Sequence, residues 1–243
     1  DRVRHDSWPP VQMPGPRPDS APGSAPRQAG MWDDFAMPET GIGFVPDVGS
    51  SHFLSRCPGE AGLYLALTGA RIGLADARTL GLVTHAVERA DFAAVMDGLS
   101  KGQAVEDAIA PHVRKAGPGA LAPHRRRIDT IFAAASVEAI MERLDRDGSD
   151  FAQATAQVIR TRSPQSLKIV FRQIRTAAKL SLRACLAMEF RLATRMLASH
   201  DFREGVRAAL VDKDRSPKWQ PASLAGVGDV DAFFAPLDGQ ELF

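Results

Sequence analysis

Glu39 and Asp47 are the residues of this chain whose types and spacing best suit chemistry. They stand eight positions apart in Ala36-Met37-Pro38-Glu39-Thr40-Gly41-Ile42-Gly43-Phe44-Val45-Pro46-Asp47-Val48-Gly49, a loop rich in glycine and bounded by prolines. Gly41 and Gly43 open backbone geometries closed to other residues, Pro38 and Pro46 fix φ, and Ile42, Phe44 and Val45 turn the loop toward an apolar interior. A carboxyl held in such a loop is half buried. Its pKa then rises, which suits it to proton transfer near neutral pH. The plainer alternative is that Glu39 caps the following turn and Asp47 accepts backbone N–H groups, as loop carboxylates often do.

The elements around this loop read as mostly helical. A helix over 59–67 follows Pro58 and stops at Thr68-Gly69, and a short helix over 75–80 feeds a strand over 82–87, Leu-Val-Thr-His-Ala-Val. Helices are expected over 91–99, 105–113 and 123–134, with Gly117-Pro118-Gly119 breaking the run. Ser136, Ser149, Ser163 and Ser181 then open further helices as N-caps, Pro164 taking the first helical position. The last helix carries Leu182, Leu186, Phe190, Ala193 and Leu197 as an apolar stripe that needs a partner surface.

From Phe35 onward the chain resembles the 3-hydroxyisobutyryl-CoA hydrolases, a thioesterase branch of the crotonase (enoyl-CoA hydratase/isomerase) superfamily. The matching blocks are FAMPETGIGFVPDVG at 35–49, HFLSR and LYLALTGARI between 52 and 72, ADARTLGLVTHAV at 75–87, SPQSLKIVFRQIR at 163–175, CLAMEFRLATRML at 185–197, HDFREGVRAALVDKDRSPKW at 200–219 and DAFFAPL at 231–237. The resemblance implies an α/β crotonase-like fold, the ClpP/crotonase spiral, here truncated and mostly helical. It implies hydrolysis of 3-hydroxyisobutyryl-CoA or a similar short β-hydroxyacyl-CoA, as in valine breakdown. Glu39 would be the main catalytic carboxylate, as nucleophile or as base for water, and Asp47 would hold the β-hydroxyl. Gly43 and Lys213 are carried over as further substrate contacts, Lys213 lying with Arg215 and Lys218 on the segment that closes over coenzyme A. No metal or redox cofactor is implied, coenzyme A entering as part of the substrate. An enoyl-CoA hydratase or isomerase is the alternative enzyme, and a non-catalytic remnant or half-domain partner is the alternative of another class.

Two departures from the family stand out. The upstream half of its domain, with the glycine-rich turn that forms the oxyanion hole, has no match here, so the chain alone is expected to be slow or inactive. Residues 35–243 therefore read as a partial domain. Residues 1–34 carry seven prolines by residue 26 and no apolar period, the composition of a disordered leader, and the abrupt boundary favours a truncated or frame-shifted product. The second departure lies after Pro-Asp-Val-Gly, where Ser50 and Ser51 replace family glycines. Strain is expected if that backbone needs positive φ.

Composition narrows the remaining classes. The 243 residues carry 30 Lys and Arg against 29 Asp and Glu, a net charge of +1 that gives no nucleic-acid or membrane-surface signal. The run His124-Arg125-Arg126-Arg127 reads as a solvated helix face. Cys57 and Cys185 are too few and too far apart for a disulfide framework and fit a reducing, cytoplasmic setting. The two cysteines and six histidines lack metal-ligand spacing, and neither a P-loop nor a dinucleotide fingerprint appears. No apolar run reaches the ~18 residues that span a bilayer. The mixed charges of the leader argue against a transit peptide. By resemblance the C-terminal helices carry oligomer contacts, which makes a homo-oligomer an expectation.

Overall fold

The computed structural model describes residues 35–239 and 241–243, so the expected disordered leader over 1–34 lies outside the described residues. Twelve α-helices are described: α1 Ser50–Leu54, α2 Ala61–Thr68, α3 Leu74–Thr79, α4 Phe92–Ser100, α5 Val105–Ile109, α6 Arg125–Phe132, α7 Val137–Asp147, α8 Asp150–Arg160, α9 Pro164–Ala177, α10 Leu182–Leu197, α11 His200–Val206 and α12 Asp231–Phe234. Short 3₁₀ turns join several of them, and α11 runs on into a π-helical turn over Arg207–Val211.

The core is built around α2, every residue of which is buried. A helix that is apolar all round has no solvent face to offer and settles where neighbours cover it. Here α1, α6, α8 and α9 do so. Their sequences supply the complementary stripes: Ile128, Ile131 and Phe132 on α6, and Leu167, Val170 and Ile174 on α9, at the three- and four-residue spacing of one helix face. Tyr64 and Phe132 meet edge to face with centroids 5.4 Å apart.

The caps fall where the sequence places them. Ser136, Ser149, Ser163 and Ser181 each accept a hydrogen bond from the backbone N–H three residues on, and Pro164 occupies the first turn of α9. Gly69 closes α2 in the left-handed conformation.

Three expectations are corrected. The segment 82–87 is not a strand. Val87 makes one isolated antiparallel bridge with Val113, supported by Arg114 N–H donating to Ala86 O at 2.8 Å, and β-branched residues without a neighbouring strand have no ladder to join. The helix expected over 105–113 stops at Ile109 and tightens into a 3₁₀ turn at Pro111. The buried face of α10 is Cys185, Met188, Glu189, Leu192 and Met196, about one residue round the helix from the stripe read in the sequence. Leu182, Phe190 and Leu197 are instead exposed, at 49%, 37% and 55%. Leu186 and Ala193 of the stripe are partly covered, and the other three residues remain open.

Candidate active site

The loop over residues 35–49 is held at both ends and in the middle. Phe35 pairs with Ile72 through N–H···O bonds of 2.7 and 2.9 Å. Glu39 opens a 3₁₀ turn, Glu39–Ile42, whose buried Thr40 donates its hydroxyl to Leu67 O at the end of α2 and accepts the Ser163 N–H at the start of α9. Phe44 packs on Phe202 of α11 with ring centroids 5.0 Å apart. The turn that Glu39 opens therefore sits where α2, α9 and α11 converge.

Burial is the largest influence on the Glu39 carboxyl. It pushes the pKa up to about 7 against a restraining hydrogen bond from the residue's own backbone, and the charge of Asp47 adds to the rise. Glu39 Oε2 is buried and accepts no hydrogen bond from the described residues. The N-cap position of the turn is Pro38, which offers no side-chain cap, and the backbone group that the Glu39 carboxyl meets is its own. Among the described residues the Asp47 side chain caps nothing: the turn bond from Ser50 N–H, 2.9 Å, goes to Asp47 O on the backbone. Apart from that backbone bond of Glu39, neither carboxylate is bonded to a described residue.

Asp47 is aimed by an unusual turn. Val48 and Gly49 both have positive φ, 54° and 85°, and with the Ser50 to Asp47 bond this is the pattern of a type I′ turn. Valine is poorly suited to the left-handed region, so the turn is strained at an exposed residue. Ser50 and Ser51, where strain was expected, show none of it, because they lie inside α1.

Two buried groups fix this turn, and neither was singled out in the sequence. Glu189 of α10 accepts the N–H groups of Gly49 and Ser51 at 2.6 and 2.9 Å and the Ser51 hydroxyl as well. Gln173 of α9 donates its amide to Pro46 O at 2.6 Å. The available signal was a polar residue on an otherwise apolar helix face.

The remaining site expectations fare differently. Gly43 is buried against α11, where a Cβ would lie 2.3 Å from Asp201 O, so its missing side chain is used for backbone packing. Lys213 stands exposed with φ 57° and makes no hydrogen bond or ion pair with the described residues. The segment that carries it is organised by two acids. Asp201, fully buried, accepts the Ser163 hydroxyl and the Gln220 N–H. Glu204 is pulled down to about 2 by Arg207 and the Lys218 N–H, and Arg207 in turn binds Asp212 and Asp214. His52, Cys57 and His85 form no thiol–imidazole pair: Cys57 Sγ–H donates to Phe53 O, and burial pushes its thiol up to about 11. No group of three metal-ligating side chains occurs among the described residues, nor is any described helix long and apolar enough to cross a membrane.

Residues 30–234 match the family model described as enoyl-CoA hydratase/isomerase. The "3-hydroxyisobutyryl-CoA hydrolase, mitochondrial" of Danio rerio is 43% identical over 220 residues, covering 86% of this chain and 58% of that protein. Its Homo sapiens namesake is 41% identical over 207 residues, covering 81% and 54%. Among solved structures, a carnitinyl-CoA dehydratase from Mycobacterium thermoresistibile aligns with TM-score 0.80 at 41% identity, covering 86% of this chain and 61% of that one. An enoyl-CoA hydratase from Rhodobacter sphaeroides 2.4.1 aligns with TM-score 0.79 at 34% identity, with the same shares. The chain thus spans a little over half the length of these curated relatives.

Proposed function

Because the chain belongs to the enoyl-CoA hydratase/isomerase family and shares its crotonase-like fold, we propose that Glu39 and Asp47 serve the hydrolysis of a short β-hydroxyacyl-CoA thioester, 3-hydroxyisobutyryl-CoA of valine breakdown being the type compound. The observation that carries this reading is the Glu39 carboxyl itself: largely buried, with one oxygen that accepts no hydrogen bond from the described residues, a pKa near 7, and the charge of Asp47 close enough to raise it. A carboxylate poised there either attacks the thioester carbonyl or takes a proton from water as the water attacks. In the first route a mixed anhydride forms as the C–S bond breaks, and water then hydrolyses it to free the hydroxy acid and Glu39. In the second the C–S bond breaks as water adds, and the proton held by Glu39 passes to the departing thiolate of coenzyme A. Asp47 accepts the hydrogen bond of the β-hydroxyl and so selects the substrate.

The oxyanion donors belong, by resemblance, to the part of the relatives that this chain does not span. Joining that part should therefore raise turnover by about 100-fold or more. The test is release of free thiol from 3-hydroxyisobutyryl-CoA by the chain alone and by the chain joined to the upstream half of a relative. In the joined protein Glu39→Ala abolishes release, and Asp47→Ala erodes discrimination between hydroxylated and plain acyl-CoA. Full activity in Glu39→Ala would overturn the assignment.

The two solved relatives named as a dehydratase and a hydratase support a second reading, hydration of an enoyl-CoA. Loss of the unsaturated thioester's ultraviolet absorbance without thiol release would select it. A half-domain that is silent alone and active only with a separate partner half is the third reading, tested by mixing the two halves. Two unpaired, buried cysteines fit a reducing compartment. The curated relatives are mitochondrial by name, and cell fractionation decides between that compartment and the cytoplasm.

A further inference from the structure

The Asp47 turn should not hold its shape by itself. Its central residue Val48 sits at φ 54° with its side chain 78% exposed, so neither conformational preference nor burial of the valine favours the turn. Such a conformation costs on the order of 1–3 kcal/mol and persists where surrounding bonds over-determine it. The bonds are those of Glu189 and Gln173. Glu189, 3% exposed, spends its carboxylate on Gly49 N–H, Ser51 N–H and the Ser51 hydroxyl, immediately after Asp47. Gln173, fully buried, donates its amide N–H to Pro46 O, immediately before it, and its own Oε1 has no partner among the described residues. Burying a carboxyl group and an incompletely bonded amide is unfavourable in a helical core. Apolar residues at both places would pack more cheaply, so these two pay for the geometry of what they hold.

We propose that Glu189 and Gln173 are positioning residues for Asp47, gripping its turn from opposite sides so that its carboxylate faces Glu39. Neither touches the reacting atoms. The proposal rests on Glu39 and Asp47 working as a pair, and it extends the site to α9 and α10.

The test reads the pair without substrate, so a chain that hydrolyses nothing still answers it. Glutamate labelled with ¹³C at its carboxyl is introduced, the Glu39 signal is assigned by its loss in Glu39→Gln, and its titration midpoint is followed by NMR. Asp47→Asn lowers the midpoint by removing a neighbouring negative charge. Glu189→Gln, which puts an amide donor against the Gly49 and Ser51 donors, is expected to reproduce most of that fall. In the Asp47→Asn background it should produce no further fall. Gln173→Met, neutral and similar in size, gives the same pattern and carries the test if Glu189→Gln does not fold. Lower melting temperatures with an unmoved Glu39 midpoint would reduce both residues to structural roles. An equal fall with and without Asp47 would mark a direct field effect of Glu189. Either result overturns the proposal.

Discussion

Gly43 and Asp201 meet backbone to backbone: a Cβ on Gly43 would stand 2.3 Å from Asp201 O and 2.8 Å from Phe202 N. The contact is reciprocated one turn further along α11, where a Cβ on Gly205 would lie 2.2 Å from Ile42 O. The loop of Glu39 and the helix α11 therefore approach as closely as two backbones can. Gly43 also has φ 70°, so alanine there meets both a clash and an unfavourable conformation. Gly43→Ala is expected to cost roughly 2–4 kcal/mol, and Gly205→Ala, which keeps an ordinary helical φ, about 1–3 kcal/mol. Denaturant melts of the two variants give both values, and an unchanged midpoint in either would mean the loop and helix are not in contact.

The Glu39 proton makes stability depend on pH in a stated direction. The unfolded chain releases it near the ordinary value of 4.5 and the folded chain near 7, so the folded state binds more protons between these values. Stability from this group is complete below about 4.5 and is lost as pH rises through 7. Glu39→Gln should match the parent at pH 4 and exceed it at pH 8 by on the order of 1 kcal/mol, solvent screening reducing the full linkage value. Equal stability of the two proteins at pH 8 would place the carboxyl in water.

Turnover carries the same proton with the opposite consequence. A nucleophile or base must be ionised, so kcat/KM in the joined protein should climb with pH through a midpoint near 7. Asp47→Asn should shift that midpoint downward. A profile flat from pH 5 to 9 would remove Glu39 from the rate-determining chemistry.

Val48 offers a gain in stability. Its side chain is 78% exposed, so replacement forfeits little packing, and asparagine tolerates the left-handed region. Val48→Asn is expected to stabilise the chain by about 1 kcal/mol. A destabilised variant would show that the exposed valine makes contacts the folded chain needs.

The outward stripe of α10 predicts self-association. Leu182 and Leu197 are half exposed on one helix with Phe190 between them, and the chain carries a net charge of only +1 to keep copies apart. The purified chain should elute early in size-exclusion chromatography, and Leu182→Lys with Leu197→Glu should move it toward the monomer volume. Monomeric elution of the parent at high concentration would refute this.

The sequence was informative where physics is local. Ser136, Ser149, Ser163 and Ser181 cap because a hydroxyl can reach an amide three residues away, and Gly69 ends α2 because it alone tolerates the left-handed conformation cheaply. Glu39 was legible because a carboxyl among glycines, prolines and apolar residues is bound to lose water. What is decided at a distance was hidden. The side of α10 that turns inward depends on Glu189 finding Ser51, and the fate of 82–87 depends on whether another strand lies beside it. Ser50 and Ser51 looked like a source of strain only because family glycines marked the place. In the folded chain the positive φ falls on the valine and glycine before them.

The bonds that hold the Asp47 turn span 127 residues from Gln173 to Pro46 and 140 from Glu189 to Gly49. On a chain made from its N-terminus, Asp47 leaves the ribosome long before either residue that shapes its turn. The turn that carries Asp47 is thus expected to close only once α9 and α10 have been made. Fragments that end before residue 189 would retain the central helix α2 and both acids but lack the carboxylate that closes the turn.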